Sequence, residues 1–202
     1  MKKIFYSLSI FLFICVFISC NNGGQEEDSA KKAQDSNNVK IDSQKNDPSS
    51  GSIAPAINTA DTKFMVDIAK AGMMEIELGK IAEERSGDET IKRFGAMMVT
   101  DHTKAAAALQ KLASQKKVSL PSALDIDEQK QMDSLKNKSG KAFDQPYMKM
   151  MVDGHKKVLS ELNDEKINGS DADVRDFASN TIATVQMHLD SARKDQQYIS
   201  KK

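Results

Sequence analysis

From Thr59 to the C-terminus, apolar residues recur at alternating spacings of three and four, the period of a helix that turns one face into a core. The first such stripe reads Phe64, Ile68, Ala71, Glu75, Leu78, Ala82, and the second Ile91, Gly95, Met98, His102, Ala105, Leu109, Leu112. The pattern predicts four long helices, over about 59–85, 89–117, 141–167 and 172–198. A short polar helix over about 125–137 is expected between the second and third. Thr59 or Asp61 is the expected N-cap of the first helix. Ser86-Gly87-Asp88 and Asn168-Gly169-Ser170-Asp171 break the chain between partners. Residues 118–124 hold Pro121 and read as non-helical, and Pro146 falls in the first turns of the third long helix or marks its start.

Two short turns and one long connection constrain the topology. Short loops make antiparallel neighbours, and a connection of about twenty residues lets two such hairpins lie side by side. The expected fold is therefore all-α: a ferritin-like four-helix bundle, two helical hairpins joined by a long crossover with a short extra helix. A faint repeat agrees with two related hairpins. Ile91-Lys92-Arg93-Phe94 aligns with Val174-Arg175-Asp176-Phe177 at an offset of 83 residues, and the same offset pairs Phe64 with Tyr147.

Polar residues inside the apolar stripes carry the candidate chemistry. Glu75, His102, His155 and His188 fall one to each long helix, and these are the only three histidines of the chain. A carboxylate in such a stripe is costly unless paired or metal-bound. Counted from the nearest hairpin turn, the four heights scatter over roughly 10 Å at 1.5 Å per residue. That spread suits two adjacent sites, or one site with fewer ligands, better than one four-ligand site. Three imidazoles with one or two acids suit Zn, Cu, Ni or a single Fe. No Glu-x-x-His pair occurs, so carboxylate-bridged di-iron oxidase chemistry is not expected. Asp101 flanks the seam and is placed to orient an imidazole. Glu77 lies on the outer side of its helix. The competing reading is a metal-free polar network of the His and Glu side chains that fixes helix register.

Methionine lies on all four long helices, at Met73-Met74, Met97-Met98, Met148 with Met150-Met151, and Met187. Core filling in place of scarce aromatics is the simpler account, and soft thioether ligation of Cu(I) the sharper one.

The N-terminus reads as an address. Lys2 and Lys3 precede an apolar run over 4–18, and Phe17-Ile18-Ser19-Cys20 resembles a bacterial lipobox. Residues 1–19 are thus expected to be a lipoprotein signal peptide, with Cys20 lipidated. A plain secretory signal and an uncleaved anchor are the alternatives. By resemblance to Gram-negative sorting rules, Asn21 after the cysteine points to the outer membrane, facing the periplasm. Cys15 would leave with the signal, so no disulfide forms within one mature chain. Residues 20–58 are polar and without aromatics, and read as a disordered tether; residues 59–202 are the folded domain. Removing Lys2 and Lys3 leaves 27 basic against 29 acidic residues. Such a balance gives no electrostatic footprint for nucleic acid, so the expected partner is a membrane, through the lipid at Cys20.

Several motifs occur in order along the domain: Ala71-Gly72-Met73-Met74-Glu75-Ile76-Glu77-Leu78-Gly79-Lys80, then Met98-Val99-Thr100-Asp101-His102 and Lys104, Leu120-Pro121, Tyr147-Met148, and Met151-Val152-Asp153-Gly154-His155. Over about residues 60–198 the chain resembles the DUF4142 family, exported bacterial proteins with a ferritin-like helical fold and no established activity. The resemblance implies that Glu75, His102, His155 and His188, with Asp101, are the positions of interest. It departs at Gly154, where the family pattern has Asp directly before the histidine; Asp153 is turned away by about 100°. The function expected is a lipid-anchored envelope protein that binds a transition metal ion (Zn, Cu or Fe) for storage, buffering or sensing. The alternative is a metal-free envelope stress or interaction module; an enzyme is not expected.

Overall fold

A computed structural model describes residues 28–45 and 57–202. The described residues form six helices and no strand: α1 (Ser29–Lys45), α2 (Thr59–Arg85), α3 (Glu89–Lys116), α4 (Ile126–Lys136), α5 (Lys141–Asn168) and α6 (Ala172–Ser200). The all-α class, the four long helices and the short one thus stand as expected, within about two residues at each end.

Local chemistry explains those ends. Asp88 caps α3 by accepting from Thr90 N at 2.8 Å, and Asp171 caps α6 by accepting from the amides of Asp173 and Val174. The cap of α2 differs from expectation. It is Asn58, whose side chain accepts from Asp61 N at 2.8 Å while Asp61 accepts from Asn58 N. Asp61 is the third helical residue of a capping box, a role that uses its carboxylate to face backwards. Pro146 sits inside α5, in its second turn.

Helices α2 and α3 pack along each other, as do α5 and α6; α2 also lies beside α5, and α3 beside α6. Hydrogen bonds fix the ends. Gly140 N donates to Arg85 O at 3.0 Å, and Lys202 Nζ to Asp88 at 2.5 Å. At the opposite end Ser170 N donates to Asp61 at 2.9 Å, and Lys116 Nζ to Asp171 at 2.7 Å. Every one of these neighbouring pairs is therefore antiparallel. About two turns from the 86–88 turn the backbones touch: a Cβ at Gly79 would stand 2.7 Å from Gly95 O, and one at Gly95 2.7 Å from Gly79 O.

The core is divided. One cluster gathers Leu78, Ile91, Phe94, Met98, Phe143, Tyr147, Met151 and Leu189; the other gathers Phe64, Met65, Ile68, Leu109, Leu162, Val174 and Val185. On every long helix the polar residue of the stripe lies between the members of the two clusters. Four of the methionines (Met65, Met98, Met148 and Met151) are fully or almost fully buried as core filler, whereas Met187 is exposed.

Helix α1 corrects the expectation of a disordered tether over residues 20–58, since residues 29–45 are helical and docked. Ala30 and Ala33 pack on Val66. Buried Asn37 accepts from Ser119 N at 2.7 Å and donates to Ser119 O at 2.9 Å, serving both backbone groups of the crossover. The docked stripe of Ala30, Ala33, Asn37 and Ile41 has helical spacing, but it is too small and polar to stand out by hydrophobicity. The signal peptide, Cys15 and Cys20 lie outside the described residues. Among those described, no helix is long and apolar enough to cross a membrane.

Candidate metal centre

The three histidines meet on one level because the bundle's ends are tied. His102 lies 14 residues beyond Asp88, His155 lies 15 beyond Gly140, and His188 lies 14 before Lys202. Asp88 and Lys202 are bonded to each other, and Gly140 is bonded to Arg85 at the same end. At 1.5 Å per residue, the three Cα atoms then differ in height by only about 1.5 Å. The expected scatter arose from measuring the two hairpins from their own turns, which sit at opposite ends of the bundle. Glu75 is 10 residues from Arg85, about a turn lower. The side chains of α2 lean towards its N-terminus, that is, up to the histidine level.

His155 and His188 are 0% exposed, His102 7% and Glu75 6%. The ring centroids are 5.6 Å (His102–His155), 5.1 Å (His102–His188) and 5.5 Å (His155–His188) apart. One nitrogen from each ring lies within 4.8 Å of the other two. A point common to three such atoms is at most about 2.8 Å from each, and Zn–N bonds are about 2.0–2.1 Å. Moving each ring inward by under about 1 Å would close a coordination shell.

One edge of each ring is held. Met151 O, which can only accept, receives the Nδ1–H of His155 at 2.8 Å. Asp101 Oδ2 lies 3.0 Å from His188 Nε2, so that nitrogen carries the proton. Glu75 Oε2 is 3.2 Å from His102 Nδ1, and its Oε1 is 3.4 Å from His155 Nδ1. The nitrogens left over, His102 Nε2, His155 Nε2 and His188 Nδ1, are buried with no hydrogen-bond partner among the described residues. Buried polar atoms are rarely left so. In His155 and His188 the proton sits on the bonded nitrogen, so the leftover one presents a lone pair, as metal ligation requires.

Burial sets the charges. Glu75 is pushed up to about 8 by burial. His102 is pushed down to about 3 by burial, assisted by His155 and His188. His155 falls to about 4 by burial, against the Met151 carbonyl bond, and His188 is lowered by burial against the opposing pull of Asp101. The rings are neutral at physiological pH, the form that binds metal.

Of the residues expected from sequence, the structure brings His102, His155 and His188 together. Glu75 it places against the Nδ1 edges of two rings, and Asp101 behind the third. Asp153 is exposed and paired with Lys149 at 2.5 Å, and Glu77 pairs with Lys80 at 2.6 Å on the surface. Sequence reasoning missed the Met151 carbonyl, one turn before His155. It also missed Tyr147, a fully buried phenol without a partner among the described residues.

A family model described as "Domain of unknown function (DUF4142)" matches residues 46–194, and the chain belongs to that family. No curated protein and no solved structure matches it.

Proposed function

We propose that this DUF4142 protein binds one transition metal ion through His102, His155 and His188, for storage, buffering or sensing in the cell envelope. The observation that carries the reading is the set of three buried imidazole nitrogens without partners, on rings whose opposite edges are each held by an oxygen. Glu75 and Asp101 orient rings in this reading, and Glu75 also supplies a carboxylate that offsets the charge of the ion. Three nitrogens with a position left open suit Zn, Cu or Fe(II). The test is titration of the metal-stripped full-length protein with Zn(II), Cu(II), Cu(I) and Fe(II). Stoichiometric binding tighter than micromolar is expected, and its absence for all four ions would overturn the reading.

A second reading keeps the centre metal-free, as a polar network that fixes helix register in a stress or interaction module. The contacts of Glu75 with two rings favour it. A variant with all three histidines changed to Gln that keeps its fold and its partner binding would support this reading.

The anchor is proposed from residues 1–20 alone: lipid on Cys20 would hold the bundle at the outer membrane, facing the periplasm. Incorporation of labelled fatty acid that disappears in Cys20→Ala is the expected result.

A further inference from the structure

A cleft of about 380 Å³ opens between α2, α4 and α5, and Glu75 and Gly154 are among the residues that line it. Glu75 also lines a second, inner pocket of about 30 Å³, smaller and more enclosed than the cleft, against His102. One carboxyl group therefore borders both the outer cleft and the histidine centre. We infer that this cleft is the route by which a hydrated divalent cation reaches the three histidines, with Glu75 the group that receives it; the inference rests on the metal-binding reading above.

Size supports the route. Six waters at about 30 Å³ each occupy roughly 180 Å³, so the cleft accommodates an ion with its shell. The inner pocket holds one or two waters, so the ion must exchange its shell for protein ligands where Glu75 stands. A carboxylate is suited to that exchange, since it replaces water oxygens one at a time. Charge supports it as well. The three lysines that line the cleft each have a carboxylate partner: Lys70 with Glu128 at 3.1 Å, Lys149 with Asp153 at 2.5 Å and Lys157 with Glu161 at 3.6 Å. Their positive charge is thus offset at the rim. The apolar walls formed by Met74, Leu78 and Val158 concentrate the remaining field on the floor.

Gly154 keeps the floor accessible. A Cβ there would meet a single atom within 4 Å, Glu75 Oε1 at 4.0 Å. Any larger side chain at 154 would project over the carboxyl group without displacing backbone. Gly154→Leu therefore obstructs the route while raising helix propensity, and Gly154→Ala leaves most of it clear.

The experiment follows Co(II) uptake by the stripped full-length protein by its visible absorbance, and its release to excess chelator. A route sets both rates and leaves the equilibrium alone. Gly154→Leu is expected to slow uptake and release by the same factor, tenfold or more, with the dissociation constant within about twofold of the parent. Gly154→Ala is expected to stay within about threefold in both rates. Unchanged rates in Gly154→Leu would overturn the inference. So would slower uptake matched by an equal loss of affinity, which marks a damaged site. Slowing by Ala106→Leu, beside the inner pocket, with none by Gly154→Leu would place the route on the other face and overturn it too. If the parent takes up no ion under any condition, the metal-binding reading itself falls and the route falls with it.

Discussion

His188 Nε2 on α6 stands 3.0 Å from Asp101 Oδ2 on α3, and Asp101 directly precedes His102. One residue thus orients an imidazole of the opposite hairpin while its neighbour supplies another. His188 is fully buried, so removing the acceptor leaves an N–H with no alternative partner and frees the ring to change tautomer. Losing such an orienting partner commonly weakens metal binding by about 10- to 100-fold. Asp101→Ala is expected to lose affinity on that scale, measured by chelator competition, with its helical circular dichroism unchanged.

The contact of Gly79 with Gly95 yields a prediction about packing. A methyl at Gly79 would meet Gly95 O at 2.7 Å and Val99 Cγ2 at 2.9 Å. A carbonyl cannot rotate away as a side-chain end can, so the two helices must separate. Overpacking of this kind costs about 1–3 kcal/mol, less about 1 kcal/mol recovered in helix propensity. Gly79→Ala is expected to lower the urea midpoint by an amount worth up to about 2 kcal/mol. A methyl at Gly72, in the same helix, would meet nothing within 4 Å. There the propensity gain stands alone, so Gly72→Ala is expected to stabilise by up to about 1 kcal/mol.

These two glycines also mark what the sequence could and could not convey. The stripes through Phe64 and Ile91 were legible because a helix buried on one face must repeat every three or four residues, and the turns at Asp88 and Asp171 carry capping acids. The one-per-helix placement of Glu75, His102, His155 and His188 was legible for the same reason. Their common level was not, because it depends on which ends meet: the Asp88–Lys202 and Arg85–Gly140 bonds are long-range facts. Helix α1 was hidden because Ala30, Ala33 and Asn37 dock through small contacts and hydrogen bonds rather than hydrophobic bulk. The position of Glu75 behind two rings depends on the lean of its side chain towards the N-terminus of α2, and the hold on His155 on the Met151 carbonyl one turn before it. Neither has a signature in residue type.

Glu165 governs a pH effect at the far end of the bundle. It is buried, and burial followed by the charge of Asp61 pushes it up to about 7, with Asp164 adding to the rise and Arg175 opposing it. Asp61 meanwhile accepts from Ser170 N at 2.9 Å and Asp171 N at 3.1 Å, holding the α5–α6 turn. A carboxyl group whose folded value lies above its ordinary 4.5 binds its proton more tightly folded than unfolded. Its stabilising share is complete below about 4.5 and is lost as pH rises to about 7. Gln mimics the protonated acid at every pH. Glu165→Gln is therefore expected to match the parent near pH 4.5 and to exceed it in stability at about pH 8, in denaturant titrations of the metal-free protein.

Glu75 gives the corresponding effect on metal uptake. Without an ion its carboxyl group stays neutral up to about 8 because of burial, while His102 and His155 stay neutral down to about 3 and 4. His102 and His155 therefore need no deprotonation above about pH 5, unlike exposed histidines, which titrate near 6.5. A dication at their centre favours the carboxylate, 3.2 and 3.4 Å from two of the rings. Binding must then release about one proton from Glu75 at any pH well below 8. By linkage, affinity should rise close to tenfold per pH unit from about 5.5 to 7.5 and level off above about 8. Calorimetry in buffers of different ionisation enthalpy counts the proton directly. Glu75→Gln should bind without releasing it, giving a nearly flat profile over the same range and weaker affinity at about pH 8.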